Sequence, residues 1–259
     1  MKMEKLQFDK SIIEGVEIKR CRKTPHSYKM HLHNELSLGY IEEGTTCVTL
    51  GNKEFNFKAG DGMIIPPLMS HMCCPDDINN WQTVIIYIDL KYYEKAVKFD
   101  KAITIEGDNL ERLKRFIDMI DTETDKSYLE NRLVEILLDF GEPCDVNDSE
   151  IVDINSLPSR VLDFLVSNYK VDIQLNMLEK RFGINRFTII RNFKRAFNTT
   201  PRAYQLQLKV AEAKNLLAKG VDVFDICQIV GFYDQAHFIR EFKKMHGITP
   251  LAYKQELNR

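Results

Sequence analysis

Between residues 16 and 89, apolar and polar residues alternate in short runs, VEIKRCR, ELSLGYI, TCVTL, EFNFKAGDGMIIP and QTVIIYID, with turn residues between them. Alternation at period two puts every second side chain on one face, so each run predicts a half-buried strand. Glu43-Gly44 and Gly51-Asn52 fall where hairpin turns are expected. Gly60-Asp61-Gly62 precedes the apolar stretch Met63-Ile64-Ile65, which Pro66-Pro67 ends. Strands at this spacing predict a small antiparallel sandwich or barrel. After Leu90 the period becomes helical. Leu110, Leu113, Phe116, Ile117 and Ile120 form one apolar stripe, and Leu129, Leu133, Ile136, Leu137 and Phe140 form the next, which predicts a helical hairpin.

The stretch 141–155, GEPCDVNDSEIVDIN, is acidic and carries Gly and Pro, as a linker does. Ser156 can cap a helix bearing Leu157, Val161, Phe164 and Leu165, with Pro158 in its tolerated first turn. Everything beyond reads as helical. Residues 191–204 and 240–253 share a pattern at a constant offset of 49: Arg191 matches Arg240, Phe193 matches Phe242, Lys194 matches Lys243, and Thr200-Pro201 and Tyr204 match Thr249-Pro250 and Tyr253. One supersecondary unit therefore occurs twice.

Each copy follows an apolar helix and a glycine turn, 175–182 with Gly183 and 223–230 with Gly231, and so predicts a helix-turn-helix. Asn185 and Asp234 are N-cap residues for the second helices, and Asn198 and Gly247 sit where a left-handed terminator is expected. Ile189 and Phe193, like Phe238 and Phe242, lie four apart and should anchor those helices. Facing outward are Arg186, Phe187, Ile190 and Arg191 in the first copy and Gln235, Ala236, His237 and Arg240 in the second. Arginine bonds guanine bidentately, glutamine reads adenine, and apolar atoms meet thymine methyls. Lys194 and Lys243 add cationic contacts to phosphate. The connecting helix 201–219 would fix the two reading helices about 34 Å apart, the spacing of successive major grooves.

The 259 residues suffice for two domains, and the net charge of -2 hides an asymmetry. Residues 155–259 hold 17 Lys and Arg against 9 Asp and Glu, whereas the preceding residues hold 19 against 29. Only the C-terminal part is expected to meet a polyanion. No long uncharged apolar run or signal-peptide pattern is present, which points to a cytoplasmic location and no membrane partner. The six cysteines lack zinc-finger spacing and read as reduced thiols. Cys73-Cys74 beside His71 suggests a redox or electrophile sensor, against the simpler role of filling a strand end. No nucleotide loop or nucleophile elbow occurs.

The string 229–243, IVGFYDQAHFIREFK, followed by Gly247, Thr249-Pro250 and Tyr253, resembles the DNA-binding domain of the AraC/XylS family of bacterial transcription regulators. Departures are Asn185 for the usual serine, Asn198 for glycine and Cys227 for alanine. Ile190 is an apolar occupant of a position that such proteins often turn towards bases, so base specificity should lean on the second copy. The stretch from His31-Leu-His33-Asn-Glu35 to Gly44, with Gly60-Asp61-Gly62, Pro66-Pro67 and His71, resembles the cupin-like effector domain of many such regulators.

The resemblance implies an α+β chain. Residues 1–141 would form an antiparallel β cupin-like barrel with a helical hairpin, for effector binding and dimerisation, and 142–155 the linker. Residues 156–259 would be an all-α DNA-binding domain with helix-turn-helix units at about 174–197 and 223–246. The implied function is an effector-responsive, sequence-specific transcription regulator, not an enzyme. Its partners would be double-stranded DNA, an unidentified small-molecule effector, a second copy of the chain docked through the hairpin, and RNA polymerase if it activates. His33, Glu35, Tyr40, His71, Trp81 and Tyr87 are the expected effector contacts. No cofactor is expected. Residues 31, 33 and 35 nonetheless share strand parity, and His31, His33, Glu35 and His71 form a candidate ligand set for zinc or another divalent metal. On that set rests a second reading, a cupin enzyme joined to a DNA-targeting module.

Overall fold

The structure, a computed structural model, describes residues 5–24, 29–51, 53–94, 96–143 and 156–257. The alternating runs form strands: β1 (Lys5–Lys10), β2 (Val16–Arg22), β3 (Leu36–Glu43), β4 (Thr45–Leu50), β5 (Lys53–Lys58), β6 (Gly62–Ile65), β7 (His71–Pro75) and β8 (Gln82–Ile88). The short β9 (Val97–Lys98) and β10 (Ile103–Ile105) precede helices α1 (Gly107–Ile120) and α2 (Lys126–Phe140), and β11 (Glu142–Pro143) follows them. The helical switch thus comes later than Leu90, because β9 and β10 intervene. The remaining helices are α3 (Leu157–Asn168), α4 (Leu175–Phe182), α5 (Arg186–Phe197), α6 (Pro201–Ala218), α7 (Val223–Ile229), α8 (Gln235–His246) and α9 (Pro250–Glu256).

A six-stranded sheet in the order β1-β2-β8-β3-β6-β10 and a three-stranded sheet β5-β4-β7 share an apolar core of Ile41, Val48, Leu50, Phe57, Met63, Ile65 and Trp81. No ladder joins these sheets among the described residues, so the cupin-like barrel is open-sided. Gly51 closes the β4–β5 hairpin as its position implies. Glu43-Gly44 does not make a hairpin. β3 pairs with β6 and β8, and β4 pairs with β5 and β7, so Gly44 is the corner where the chain changes sheet. Its φ of +91° suits glycine, and a methyl there would overlap the Asn80 carbonyl oxygen.

The two predicted helical stripes are buried on the other face of the large sheet, against Val16, Ile18, Leu36, Leu38, Ile64, Ile86 and Ile88. Each such side chain contributes about 1.5–3 kcal/mol when fully buried. In the helical half, the Ser156 hydroxyl accepts from the Ser159 amide, with Pro158 in the first turn of α3. α6 separates two cores: Tyr204, Leu208 and Ala211 join α3, α4 and α5, while Val210, Ala213 and Leu217 join α7, α8 and α9. Each core also takes a residue from the β half, Leu32 in the first and Phe8 in the second. The expected linker lies, from residue 144 onward, outside the described residues.

Candidate DNA-reading surface and effector cavities

Both reading helices start on a side-chain cap. Asn185 accepts from the Phe187 amide at 2.9 Å and Asp234 from the His237 amide at 2.7 Å. They end left-handed, at Asn198 (φ +52°) and Gly247 (φ +85°). Thr200 and Thr249 then each cap the next helix at 3.2 Å. Ile189, Phe193, Phe238 and Phe242 are wholly buried, which fixes the opposite faces outward. Arg186, Phe187, Arg191, Lys194, Gln235, Ala236, Arg240 and Lys243 are exposed, and Ile190 and His237 are half-buried. Phe187 leaves 69% of its surface open, an unfavourable exposure for a large ring that serves only the fold. The Arg186 guanidinium lies over that ring at 5.5 Å.

The six expected effector contacts divide between two places. Tyr40, His71 and Trp81 line a cavity of about 60 Å³ inside the open barrel, with Val48, Phe57, Met63, Ile65 and Ile85 as apolar walls, Ser37 and Thr46 offering hydroxyls, and the Thr83 hydroxyl donating to the Tyr40 carbonyl. Glu35 and Tyr87 instead line a cleft of about 630 Å³ between the β half and the helical half, together with Glu17, Asn215 and Tyr253. His33 stands between the two, its ring 4.7 Å from Tyr87 and 5.1 Å from His71. The shared parity of 31, 33 and 35 does not bring Glu35 to the histidines, because these residues precede β3 and Glu35 turns to Lys214.

Lys214 of α6 is buried and holds Glu17 and Glu35 at 3.0 Å each, with its ammonium 4.0 Å above the Tyr87 ring. Burial opposes its charge, yet the two carboxylates outweigh burial and hold it above the ordinary lysine value. The Tyr253 hydroxyl donates to Glu17 in the same network. Around it Lys29 pairs with Glu241 of α8 at 2.7 Å, Lys19 donates to the His246 carbonyl at 3.2 Å, and Ser70 donates to Gln207 at 2.8 Å. Burial pushes Lys19 down to about 8 and His71 down to about 4. It also pushes the Cys73 thiol up to about 12, the reverse of an activated thiolate.

Residues 15–111 match the family model of the AraC-like ligand-binding domain, and residues 178–256 match that of a helix-turn-helix domain. The chain belongs to the AraC/XylS family. This AraC-family protein is 25% identical over 238 residues to the uncharacterized HTH-type transcriptional regulator YbfI of Bacillus subtilis, spanning 86% of this chain and 85% of the relative. It is 19% identical over 245 residues to the Msm operon regulatory protein of Streptococcus mutans, spanning 90% and 88%. Its fold is that of ToxT from Vibrio cholerae bound to an unsaturated fatty acid, with a TM-score of 0.61 at 12% identity over 99% of this chain and 98% of that one. The protein is an effector-responsive, DNA-binding transcription regulator. No described helix is long and apolar enough to cross a membrane.

Sequence reasoning missed the residues by which this AraC-family chain joins its two halves, Glu17, Lys19, Lys29, Lys214, Glu241 and His246. One signal was present. Lys214 lies four residues after Val210, three before Leu217 and beside Ala213, so it sits on the apolar side of a helix.

Proposed function

We propose that residues 156–259 read operator DNA through Arg186, Phe187, Ile190, Arg191 and Lys194 of α5 and Gln235, Ala236, His237, Arg240 and Lys243 of α8. Base specificity falls mainly to α8. Residues 1–141 bind the effector and dimerise through the outer face of α1 and α2, where Tyr128 and Leu138 are exposed, and 142–155 link the two parts. The observation that carries this reading is the outward exposure of two capped helices whose opposite faces are buried. The protein works as a cytoplasmic homodimer without catalysis, since Glu35, needed for a cupin metal centre, is engaged by Lys214. It contacts RNA polymerase where it activates.

The effector enters the barrel cavity, whose walls suit a small, largely apolar molecule carrying a hydroxyl or carbonyl. ToxT binds an unsaturated fatty acid, so short fatty acids belong in the first ligand panel. Occupancy changes the position of His71 and, through the adjoining His33 ring, that of His246 on α8, which shifts the balance between two arrangements of the halves. A footprint on the DNA upstream of the protein's own gene, with and without panel ligands, tests the reading. Two protected tracts about one helical turn apart, altered by one ligand, are expected. Absence of any protection would sink it.

A further inference from the structure

His31, His33 and His71 are buried with their ring nitrogens all within 4.8 Å of one another. Their ring centroids stand 4.3, 4.8 and 5.1 Å apart. Two imidazoles held on one tetrahedral zinc through nitrogens at about 2.0–2.1 Å place their centroids about 5 Å apart, so the three rings already have the spacing of ligands to a common ion. The backbone fixes two of them. The strand-like bridge between His31 and His71 exchanges amide bonds of 2.9 and 2.8 Å. The Nδ1 of His31 donates to the Lys29 carbonyl at 3.1 Å and that of His71 to the Met69 carbonyl at 2.9 Å. A ring that donates Nδ1–H to a carbonyl carries its lone pair on Nε2, the arrangement found behind most metal-bound histidines.

A fourth imidazole comes from the helical half. His246, the last residue of α8, lies with its ring centroid 6.3 Å from that of His33, about 1 Å beyond the spacing of two ligands on one zinc. It is 2% exposed, and its Nε2 has no hydrogen-bond partner among the described residues. A buried polar nitrogen left so needs a reason, since leaving it unsatisfied costs about 1–3 kcal/mol. An organic ligand does not fit between rings this close. Of the nearby cations, Lys214 is held by Glu17 and Glu35, while Lys19 donates to the neutral His246 carbonyl and leaves a positive charge beside the rings that a bound ion must tolerate. We propose that His31, His33, His71 and His246 are the ligands of a divalent transition-metal site, of the class that takes zinc or cobalt, which joins the β half to the second reading helix. All-imidazole ligation suits zinc, cobalt, nickel and copper rather than calcium or magnesium.

The test uses the full-length chain without a polyhistidine tag, stripped with a chelator and titrated with Co²⁺. One ion per chain, the visible band of four-coordinate cobalt without the near-ultraviolet band of a thiolate ligand, and bleaching by zinc are expected. Lack of saturable binding by the wild type, or a six-coordinate spectrum, overturns the site. His246→Gln should keep a weaker site, with affinity reduced more than about tenfold and an altered band. An unchanged band and affinity overturn the joining of the halves. His71→Gln should abolish binding in protein whose circular dichroism is native, and retained binding there, or loss in Cys73→Ser, also refutes the ligand set. Should His71→Gln fail to fold, the wild-type and His246→Gln titrations decide alone. No DNA enters these measurements, so their failure is distinct from failure of the operator reading.

Discussion

Lys214 and Glu35 meet at 3.0 Å across the boundary between the β half and the helical half, and Glu17 takes the same ammonium at the same distance. An ammonium this buried is stable as a charge only while its carboxylates stay, so the contact is strong against loss of one member and weak as a net source of stability.

Replacing Lys214 by Met should therefore leave two partly buried carboxylates facing each other at the wall of the cleft and destabilise the protein by up to about 3–5 kcal/mol. Urea denaturation at neutral pH reads this directly. The triple change Lys214→Met, Glu17→Gln, Glu35→Gln should recover most of the loss. Equal stability of Lys214→Met and wild type would contradict the burial of the ion triad.

Arg240 and Lys243 lie on the same exposed face of α8 but act on different chemistry. Arg240→Ala should weaken binding to the cognate operator by about 1–3 kcal/mol and relax preference at one position. Lys243→Ala should weaken all sequences alike and lower the salt slope by about one. Titrations at several salt concentrations on specific and scrambled duplexes separate the two, and identical profiles would remove the assignment of roles.

Val48 stands in the wall of the barrel cavity, away from α8. Val48→Trp should fill the cavity and abolish ligand-induced changes in the footprint while unliganded operator affinity is retained. Overpacking costs about 1–3 kcal/mol, so the variant needs a thermal unfolding control. An intact ligand response would place the effector elsewhere, the cleft beside Glu35 and Tyr87 being the alternative.

Asn198 and Gly247 end equivalent helices in the left-handed region, one with a side chain and one without. Asn198→Gly should stabilise the protein by up to about 1 kcal/mol, and Gly247→Ala should cost about 1–2 kcal/mol. Chemical denaturation of the pair checks both signs.

The helical half was legible nearly residue by residue, because its signals are local: caps at Asn185, Asp234, Thr200 and Thr249, terminators at Asn198 and Gly247, and anchors four apart. The strands with clear alternation, such as VEIKRCR, were equally plain. β7 was not, since HMCCP neither alternates nor carries branched residues. Which strands pair was hidden as well. Gly44 has the look of a hairpin turn, and only the distant partners of β3 and β4 reveal a corner. The candidate site was half legible for the same reason. His31, His33 and His71 stood out by type, whereas their grouping with His246 joins positions more than 170 residues apart and depends on how the halves dock.

The duplicated unit has a further consequence at two of its positions. Where α8 has Glu241, bound to Lys29, α5 has Asn192, and where α8 ends in His246, α5 ends in Phe197. An amide cannot replace the carboxylate in an ion pair, and a phenyl ring has no nitrogen to offer a metal. The two heads thus share a shape but not this charged tether. Among the described residues, only the second head therefore carries an ion pair through which a change in the β half can reach a reading helix directly.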